Sequence, residues 1–94
     1  MGAETKIQSA IIKYLDSKGC HTIKVMAATL SGEPDIVGCY KGMFFGIEVK
    51  TPNTRDNTSD MQKHKLKSII KSGGRSLVAW DKQQVIDFIE GWEV

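Results

Sequence analysis

Three charged residues, Asp35, Glu48 and Lys50, lie in a stretch that otherwise reads as two apolar strands, GEPDIVGCYKGMFFGIEVKT at 32–51. Charged side chains seldom enter a sheet without a partner, because the burial of an unpaired charge is costly. Side chains alternate between the two faces of a strand, so Glu48 and Lys50 share one face, and Phe45, Ile47 and Val49 share the other. The spacing therefore places an acid and a base together on one side of the sheet.

The connection at Lys41-Gly42 decides what lies opposite Glu48. A two-residue turn there pairs the strands so that Asp35 faces Glu48, with Cβ atoms about 4.5–5.5 Å apart. A four-residue loop keeps this register, whereas a three-residue loop breaks it. Two carboxylates at that separation repel each other, and a bound divalent cation removes the repulsion. Carboxylate oxygens are hard ligands that suit Mg²⁺ or Mn²⁺.

Two helical residues are expected beside this pair. Glu4 extends the apolar stripe of a first helix, and Gln62 lies on the inner stripe of a second one. Taken alone, Glu4 is as well explained by the helix dipole, and Gln62 by boundary packing. Three acids and a lysine that converge on one point describe a metal-dependent hydrolase of phosphodiesters, in which the metal neutralises phosphate charge and acidifies a bound water. The lysine either orients or deprotonates that water, or stabilises charge in the transition state.

The elements that carry these residues follow from the hydrophobic patterns. The predicted order is α-β-β-β-α-β-α, an α/β fold whose mixed sheet is flanked by helices. The predicted helices span about 4–17 and 59–72 and a last segment capped by Asp81, and the predicted strands about 21–27, 35–40, 43–51 and 76–80. Loops are expected at 28–33 and, polar and mobile, at 51–58. Gln62, Leu66, Ile69 and Ile70 are expected on the inner side of the second helix.

The length and charge of the chain limit which classes of function are possible. The 94 residues suffice for a single domain, predicted over 1–94, and no run of about 18 apolar residues exists to span a membrane. The net charge of +2 is uneven, since the last fourteen residues are acidic and the segment 63–75 is basic. Such asymmetry hints at an anionic partner, although a lysine-rich helix is commonly only a solvated face.

The two cysteines exclude one class of site. Cys20 and Cys39 form no CxxC pair, so a structural zinc site is not indicated. We expect two buried, reduced thiols in a cytosolic protein rather than a disulfide.

The spacing from Pro34-Asp35 to Glu48-Val49-Lys50 resembles the PD-(D/E)XK nuclease superfamily. A longer pattern, which covers nearly the whole chain, resembles its VRR-NUC (virus-type replication-repair nuclease) domain. That pattern consists of Glu4, Ile7-Gln8, Ile11, Gly32 to Gly38, Ile47 to Thr51, Gln62, Leu66 and Gly73-Gly74.

The resemblance implies a restriction-endonuclease-like core and a DNA endonuclease similar to Holliday junction resolvases, with products that carry a 5′-phosphate. It implies that Asp35, Glu48 and the Val49 carbonyl ligate Mg²⁺ or Mn²⁺. Lys50 would then be the catalytic lysine, Glu4 an acid that reaches the metal directly or through water, and Gln62 a supporting residue. Stand-alone, often phage-encoded members of the family lead us to expect action in the cytoplasm of a bacterial host.

Symmetric cutting of a four-way junction needs two active sites, which a C2 homodimer supplies most simply. Candidate interface residues, each of which could equally be core, are Trp92, Phe88, Phe44 and Met43, with the core favoured for Phe88. The loop 51–58 is the expected DNA-contacting segment, with Arg55 as a candidate phosphate contact. Backbone phosphates could also be contacted by Lys63, Lys67 and Lys71.

Three alternatives remain open at this point. The first is a nuclease of the same fold that acts on duplexes, flaps or ends, since no residue in the sequence identifies itself as reading branch structure. The second is a non-catalytic DNA-binding or dimerisation module, against which the intact Asp35, Glu48 and Lys50 set argues. The third is a surface salt-bridge cluster, which would contribute only about 0–1 kcal/mol per pair.

Overall fold

The computed structural model describes residues 2–26 and 32–92. Within these residues the elements follow the predicted order. They are α1 (Ala3–Ser17), β1 (His21–Lys24), β2 (Ile36–Tyr40), β3 (Met43–Val49), α2 (Asp60–Lys71), β4 (Arg75–Ala79) and α3 (Lys82–Glu90). The expected restriction-endonuclease-like arrangement of a mixed sheet flanked by helices is confirmed.

The four strands form one sheet in the order β1-β2-β3-β4. The pairs β1–β2 and β2–β3 are antiparallel, and β3–β4 is parallel. The β2–β3 turn has two residues, Lys41 with φ 49° and Gly42 with φ 81°. Positive φ at both positions is the type I′ geometry, whose twist matches that of the flanking strands. The register runs from Tyr40 opposite Met43 to Ile36 opposite Ile47, as the two-residue turn predicted.

Helices cover the sheet on both sides. On one face, α1 and α3 pack against the strands and each other, and on the other face α2 packs against β3 and β4. The inward residues of β3 alternate with period two, so Phe45, Ile47 and Val49 are fully buried toward α1 and α3. The remaining buried members of this core are Ile11, Leu15, Cys20, Ile36, Ala79, Val85, Ile89 and Trp92.

Gly46 lets α2 approach β3 on the opposite face. A Cβ built on Gly46 would lie 2.6 Å from Ile69 Cδ1 and 2.9 Å from Pro34 Cγ. Both distances are shorter than carbon atoms tolerate, so any larger residue would push the helix and the Pro34 segment outward. The absent side chain therefore sets how closely the residues before β2 and those on α2 approach Glu48, two positions further along β3.

Capping boxes fix the starts of α2 and α3. Ser59 accepts a hydrogen bond from the Gln62 backbone N–H, and the Gln62 side chain accepts one from the Ser59 backbone N–H. Asp81 and Gln84 exchange the same two bonds at α3. Each box satisfies two backbone donors that a helix start would otherwise leave unpaired. The predicted cap at Asp81 is confirmed.

Two burial predictions, those for Ile70 and Cys39, were wrong. Ile70 on α2 is 57% exposed and Ile23 on β1 is 52% exposed. The reason is that α2 contacts β3 and β4 but leaves the same face of β1 and β2 uncovered. Cys39 on β2 faces this uncovered area and is exposed, whereas Cys20 is buried as predicted, and both are free thiols.

Some predicted boundaries also differ. β1 ends at Lys24 rather than at residue 27, and β3 ends at Val49, so Lys50 lies just beyond the strand. Residue 27 and most of the predicted loop 28–33, up to residue 31, lie outside the described residues.

Of the four residues considered for a dimer interface, three pack in or against the core and one lies at the surface. Trp92 is buried and meets the rings of Tyr40, Phe45 and Phe88 edge-on, at centroid distances of 5.6, 6.2 and 5.2 Å. Phe88 packs against the core as favoured, and Met43 does so as well. Phe44 differs, with 47% of its side chain exposed. Among the described residues, no helix has the length and apolar character that a membrane crossing needs.

Candidate active site

Asp35 and Glu48 meet where β2 begins and β3 ends. Ile36 pairs with Ile47, and the same register continued by one residue brings Asp35 beside Glu48. Asp35 Oδ2 accepts a hydrogen bond of 2.8 Å from the Val49 backbone N–H, and the Asp35 carbonyl accepts one of 2.8 Å from Val25 N–H. Side chain and backbone of Asp35 are both anchored, so its carboxylate has a fixed position beside Glu48.

Glu48 is a buried acid with an unsatisfied oxygen. It is only 4% exposed, and its Oε1 has no hydrogen-bond partner among the described residues. Burial is the largest cause that raises the pKa of Glu48 from 4.5 to about 8, and the negative charge of Asp35 is the second. Lys50 lowers this pKa, whereas the close approach of the Asp35 side chain and the charge of Glu4 raise it further. A carboxylate in this environment is short of positive charge, which is the condition that favours a cation.

Gln62 connects Glu48 to Lys50 from the first turn of α2. Its Nε2 donates to Glu48 Oε2 at 2.9 Å, and its Oε1 accepts from Lys50 Nζ at 3.1 Å. The same Oε1 accepts from Ser59 N–H at 2.9 Å as part of the capping box. Two donors meet one end of the amide and an acceptor meets the other, so the amide orientation is determined by its partners. The capping box therefore also positions a residue of the candidate site.

Lys50 is held on three sides. Besides the Gln62 amide, its ammonium donates to the Asn57 carbonyl at 3.3 Å and lies 3.7 Å from Glu48 Oε2. Only 12% of its side chain is exposed. These contacts fix an ammonium group at the side of Glu48 that faces α2.

The loop 51–58 is a hydrogen-bonded turn. Thr54 N–H donates to the Thr51 carbonyl at 3.0 Å, and Asn57 N–H donates to the Thr54 carbonyl at 2.9 Å. Thr54 Oγ1 also accepts from Thr51 N–H at 2.9 Å. These bonds bring the Asn57 carbonyl back over Lys50. Arg55 lies exposed in this turn, with its guanidinium carbon 5.6 Å from the centre of the Trp80 ring.

Glu4 lies at the edge of the site. It is exposed, and its Oε1 accepts a 3.4 Å hydrogen bond from Nε2 of Gln8, a buried polar residue on the next turn of α1. Glu4 is near enough to raise the pKa of Glu48. However, no three side chains among the described His, Cys, Asp and Glu residues cluster closely enough to hold a metal ion together. Glu4 therefore does not join Asp35 and Glu48 in a single cluster of carboxylates.

The lysines expected to contact DNA line the outer surface of α2. Lys63, Lys67 and Lys71 are all exposed and recur every four residues, so they form one positive stripe along the helix. Lys65, on another side of α2, pairs with Glu33 at 3.2 Å. That ion pair ties α2 to the segment that leads into Asp35.

The structure brings together four of the predicted site residues, Asp35, Glu48, Lys50 and Gln62, with the Val49 backbone beside them. Sequence reasoning assigned no role to Gln8, although its spacing of four from Glu4 on a helix was a usable signal. It also missed Asn57, which acts through a backbone carbonyl that no side-chain pattern reveals.

Comparisons with known proteins identify the fold and the family. The family model described as archaeal Holliday junction resolvase (Hjc) matches residues 5–94. A solved structure described as a VRR_NUC domain superimposes with a TM-score of 0.81 at 23% identity, over 99% of this chain and 100% of that one. No protein with a curated description is significantly similar in sequence. The structural match confirms the VRR-NUC type of nuclease fold, and the family match over almost the whole length shows that the chain belongs to the archaeal Holliday junction resolvase family of nucleases.

Proposed function

We propose that this protein is a Mg²⁺- or Mn²⁺-dependent endonuclease that cuts four-way DNA junctions as a homodimer and leaves 5′-phosphate ends. The observation that carries the proposal is the pairing of half-buried Asp35 with buried Glu48, whose Oε1 has no hydrogen-bond donor among the described residues. A nuclease fold and membership of a junction-resolvase family supply the class of substrate.

The donor atoms fit a hard divalent cation. The ligands would be the carboxylates of Asp35 and Glu48 and the carbonyl of Val49, with water in the remaining positions. Mg²⁺ commonly keeps several waters and uses one or two carboxylates, so a two-carboxylate site suits it. When bound, such an ion supplies neutralisation of phosphate charge and a more acidic coordinated water. The raised pKa of Glu48 accords with this fit, because burial and the neighbouring Asp35 charge both disfavour an ionised Glu48 that has no bound cation.

The chain's own residues would orient the reaction. Gln62 and the Asn57 carbonyl hold the Lys50 ammonium in place, so that it can donate to an attacking water or to a phosphate oxygen as charge develops. Both roles need the same fixed position. Glu4, held by Gln8, would orient an outer water of the site.

A dimer would place two such sites on one junction. Phe44 supports this arrangement, because it is the one of the four interface candidates that keeps a large exposed apolar surface. Sedimentation velocity is the direct measurement. We expect a dimer for the wild type and a shift toward monomer for Phe44→Glu, while a wild-type monomer at every concentration would remove this part of the proposal.

The central experiment is cleavage of a synthetic four-way junction beside linear duplex and flap controls of the same sequence. Each substrate is incubated with Mg²⁺, Mn²⁺ or EDTA, and with the wild type, Asp35→Ala or Lys13→Gln. Lys13 is an exposed residue of α1, outside the site, and serves as the matched control. End-labelled products identify the 5′-phosphate.

Metal-dependent cutting of the junction by the wild type and by Lys13→Gln, but not by Asp35→Ala, is the expected result. Equal cutting of all three substrates would keep the active site but indicate a general, flap or end-acting nuclease. Undiminished cutting by Asp35→Ala, or none by the wild type, would contradict the proposed chemistry. Action in the cytoplasm and a phage origin stay predictions.

A further inference from the structure

Trp80 stands next to the candidate active site at the carboxyl ends of two parallel strands. Val49 of β3 pairs with Ala79 of β4, and Lys50 N–H donates to the Ala79 carbonyl at 2.9 Å. Lys50 and Trp80 therefore follow directly from paired residues. Equivalent positions in a parallel pair share a face of the sheet, so Trp80 leaves the sheet on the Lys50 side.

This tryptophan is not part of the hydrophobic core. The core includes Trp92 but not Trp80, which is only half-buried. Its backbone N–H donates to Gln84 Oε1 at 2.7 Å, which fixes the main chain at the start of α3. Its indole N–H is not among the buried unpaired groups of the described residues and makes no hydrogen bond there, so it faces solvent. A tryptophan that is held at its backbone, only half-buried and outside the core is suited to binding rather than packing.

Arg55 lies over this ring. Its guanidinium carbon is 5.6 Å from the ring centre, within the range of a cation–π contact. Among the described residues Arg55 has no carboxylate partner, since the ion pairs there are those of Lys50 with Glu48 and Lys65 with Glu33. A planar guanidinium without an acid can move from the ring to a phosphate and bind it through two N–H groups. The ring is then free on the side that the guanidinium covered.

The combination is specific for an exposed base. Any base has a π-face that can stack on an aromatic ring, but a base inside an intact duplex is already stacked on both sides. Only a nucleotide displaced from its helix can reach Trp80, and such nucleotides occur at branch points, bulges and ends.

We propose that the Arg55–Trp80 pair binds an unstacked nucleotide beside the scissile phosphate, with the base on the Trp80 ring and the adjacent phosphate on Arg55. The ligand class is DNA with a displaced nucleotide next to the cleavage position. The inference rests on the proposed function, because it identifies the residues through which the nuclease would prefer branched over continuous DNA.

The test measures binding without cleavage. The probe is a duplex with a single bulged 2-aminopurine, compared with the same duplex fully paired, in EDTA. Fluorescence of the bulged base reports stacking on an aromatic ring, and titration gives the two dissociation constants. The proteins are the wild type, Trp80→Leu, Trp80→Phe, Arg55→Gln and the matched charge control Lys13→Gln.

The wild type and Lys13→Gln should quench the bulged base and bind the bulged duplex more tightly than the paired one. Trp80→Leu should abolish quenching and weaken binding of the bulged duplex by about fivefold or more, with less than a twofold change for the paired duplex. Trp80→Phe keeps an aromatic face and should retain most of the preference. Arg55→Gln should weaken binding of the bulged duplex more than that of the paired one.

The proposal is overturned if the wild type does not prefer the bulged duplex, or if Trp80→Leu and Arg55→Gln weaken both duplexes equally. Melting curves check that each variant folds, and the exposed Arg55 provides a test that does not disturb packing. Because the bulged duplex is neither cut nor a four-way junction, this result is independent of the cleavage experiment. Failure of junction cleavage and failure of base stacking are thus distinguishable.

Discussion

Gln62 Nε2 donates a 2.9 Å hydrogen bond to Glu48 Oε2, and through this bond the start of α2 is joined to the end of β3. The same amide accepts from Lys50 and from the Ser59 backbone. One side chain therefore has two separable functions. It completes a helix cap, and it is hydrogen-bonded to both Glu48 and Lys50, whose charged groups lie 3.7 Å apart.

Gln62→Ala should lose both functions. We expect thermal unfolding to show a loss of about 1 kcal/mol from the capping box. We also expect junction cleavage to fall at least tenfold, because Glu48 and Lys50 lose a shared hydrogen-bond partner. Ser59→Ala is the matched control, since it removes a cap bond but leaves the Gln62 bonds to Glu48 and Lys50. Equal loss of cleavage in both variants would mean that Gln62 acts only through helix stability.

The metal-free protein should become less stable as pH rises from about 5 to 8. Folding raises the pKa of Glu48 from 4.5 to about 8, so between these values the folded carboxyl keeps a proton that the unfolded one has lost. The resulting loss in the free energy of unfolding is absent below the lower pKa and complete above the higher one. It amounts to roughly a few kcal/mol.

Denaturant unfolding in EDTA at a series of pH values checks this sign. Glu48→Gln has no proton to lose and should show a flatter dependence over the same window. Parallel slopes for the wild type and Glu48→Gln would mean that the pKa of Glu48 is not raised in the folded protein.

A divalent cation should stabilise the fold, and most strongly above pH 8. A ligand that binds only the folded state contributes about 2.7 kcal/mol at a hundredfold excess over its dissociation constant. We expect millimolar Mg²⁺ or Mn²⁺ to raise the melting temperature of the wild type. Calorimetric titration should show weak or no binding to Asp35→Asn. In EDTA above about pH 8, where Glu48 is ionised, that variant should melt higher than the wild type, because it removes one of two adjacent negative charges.

Lys50→Met should abolish cleavage while metal binding persists. Lys50 donates to Gln62 and Asn57 and is not a metal ligand in the proposed site, so its loss removes a positioned charge without removing a donor oxygen. Cleavage rates and metal titrations on the same preparation separate the two effects. Loss of metal affinity together with activity would instead indicate a collapsed site.

The α2 stripe should contribute affinity without specificity. Each of Lys63→Gln, Lys67→Gln and Lys71→Gln should weaken binding to junction and duplex alike. Each lost phosphate contact should reduce the salt dependence of log K by about 0.9. Lys13→Gln, on the opposite layer, should leave that slope unchanged. A stripe that is only solvated would leave all four slopes the same.

The sequence predicted the sheet register and the position of the acidic pair, because a two-residue turn and period-two alternation leave little freedom once both strands are recognised. It did not predict which apolar residues stay exposed. Ile70 and Ile23 fit their local patterns, but burial depends on which element lies opposite, and α2 reaches only β3 and β4. The contact between Arg55 and Trp80 was equally hidden, since no periodicity relates a loop residue to a strand end 25 positions later.

The turn at Lys41-Gly42 lies at the opposite end of the β2–β3 hairpin from the carboxylates, yet it determines which residue Glu48 faces. Five residue pairs, from Tyr40–Met43 to Ile36–Ile47, lie between the turn and the two carboxylates, a distance of about 17 Å at 3.4 Å per residue. A residue inserted in this turn only lengthens the loop and leaves Asp35 opposite Glu48, because hairpins also close with three- and four-residue loops. A residue deleted from the turn forces a strand residue into it, which shifts the pairing by one and turns one carboxylate toward the core. The hairpin tip, although remote and exposed, thus tolerates added residues but not a lost one.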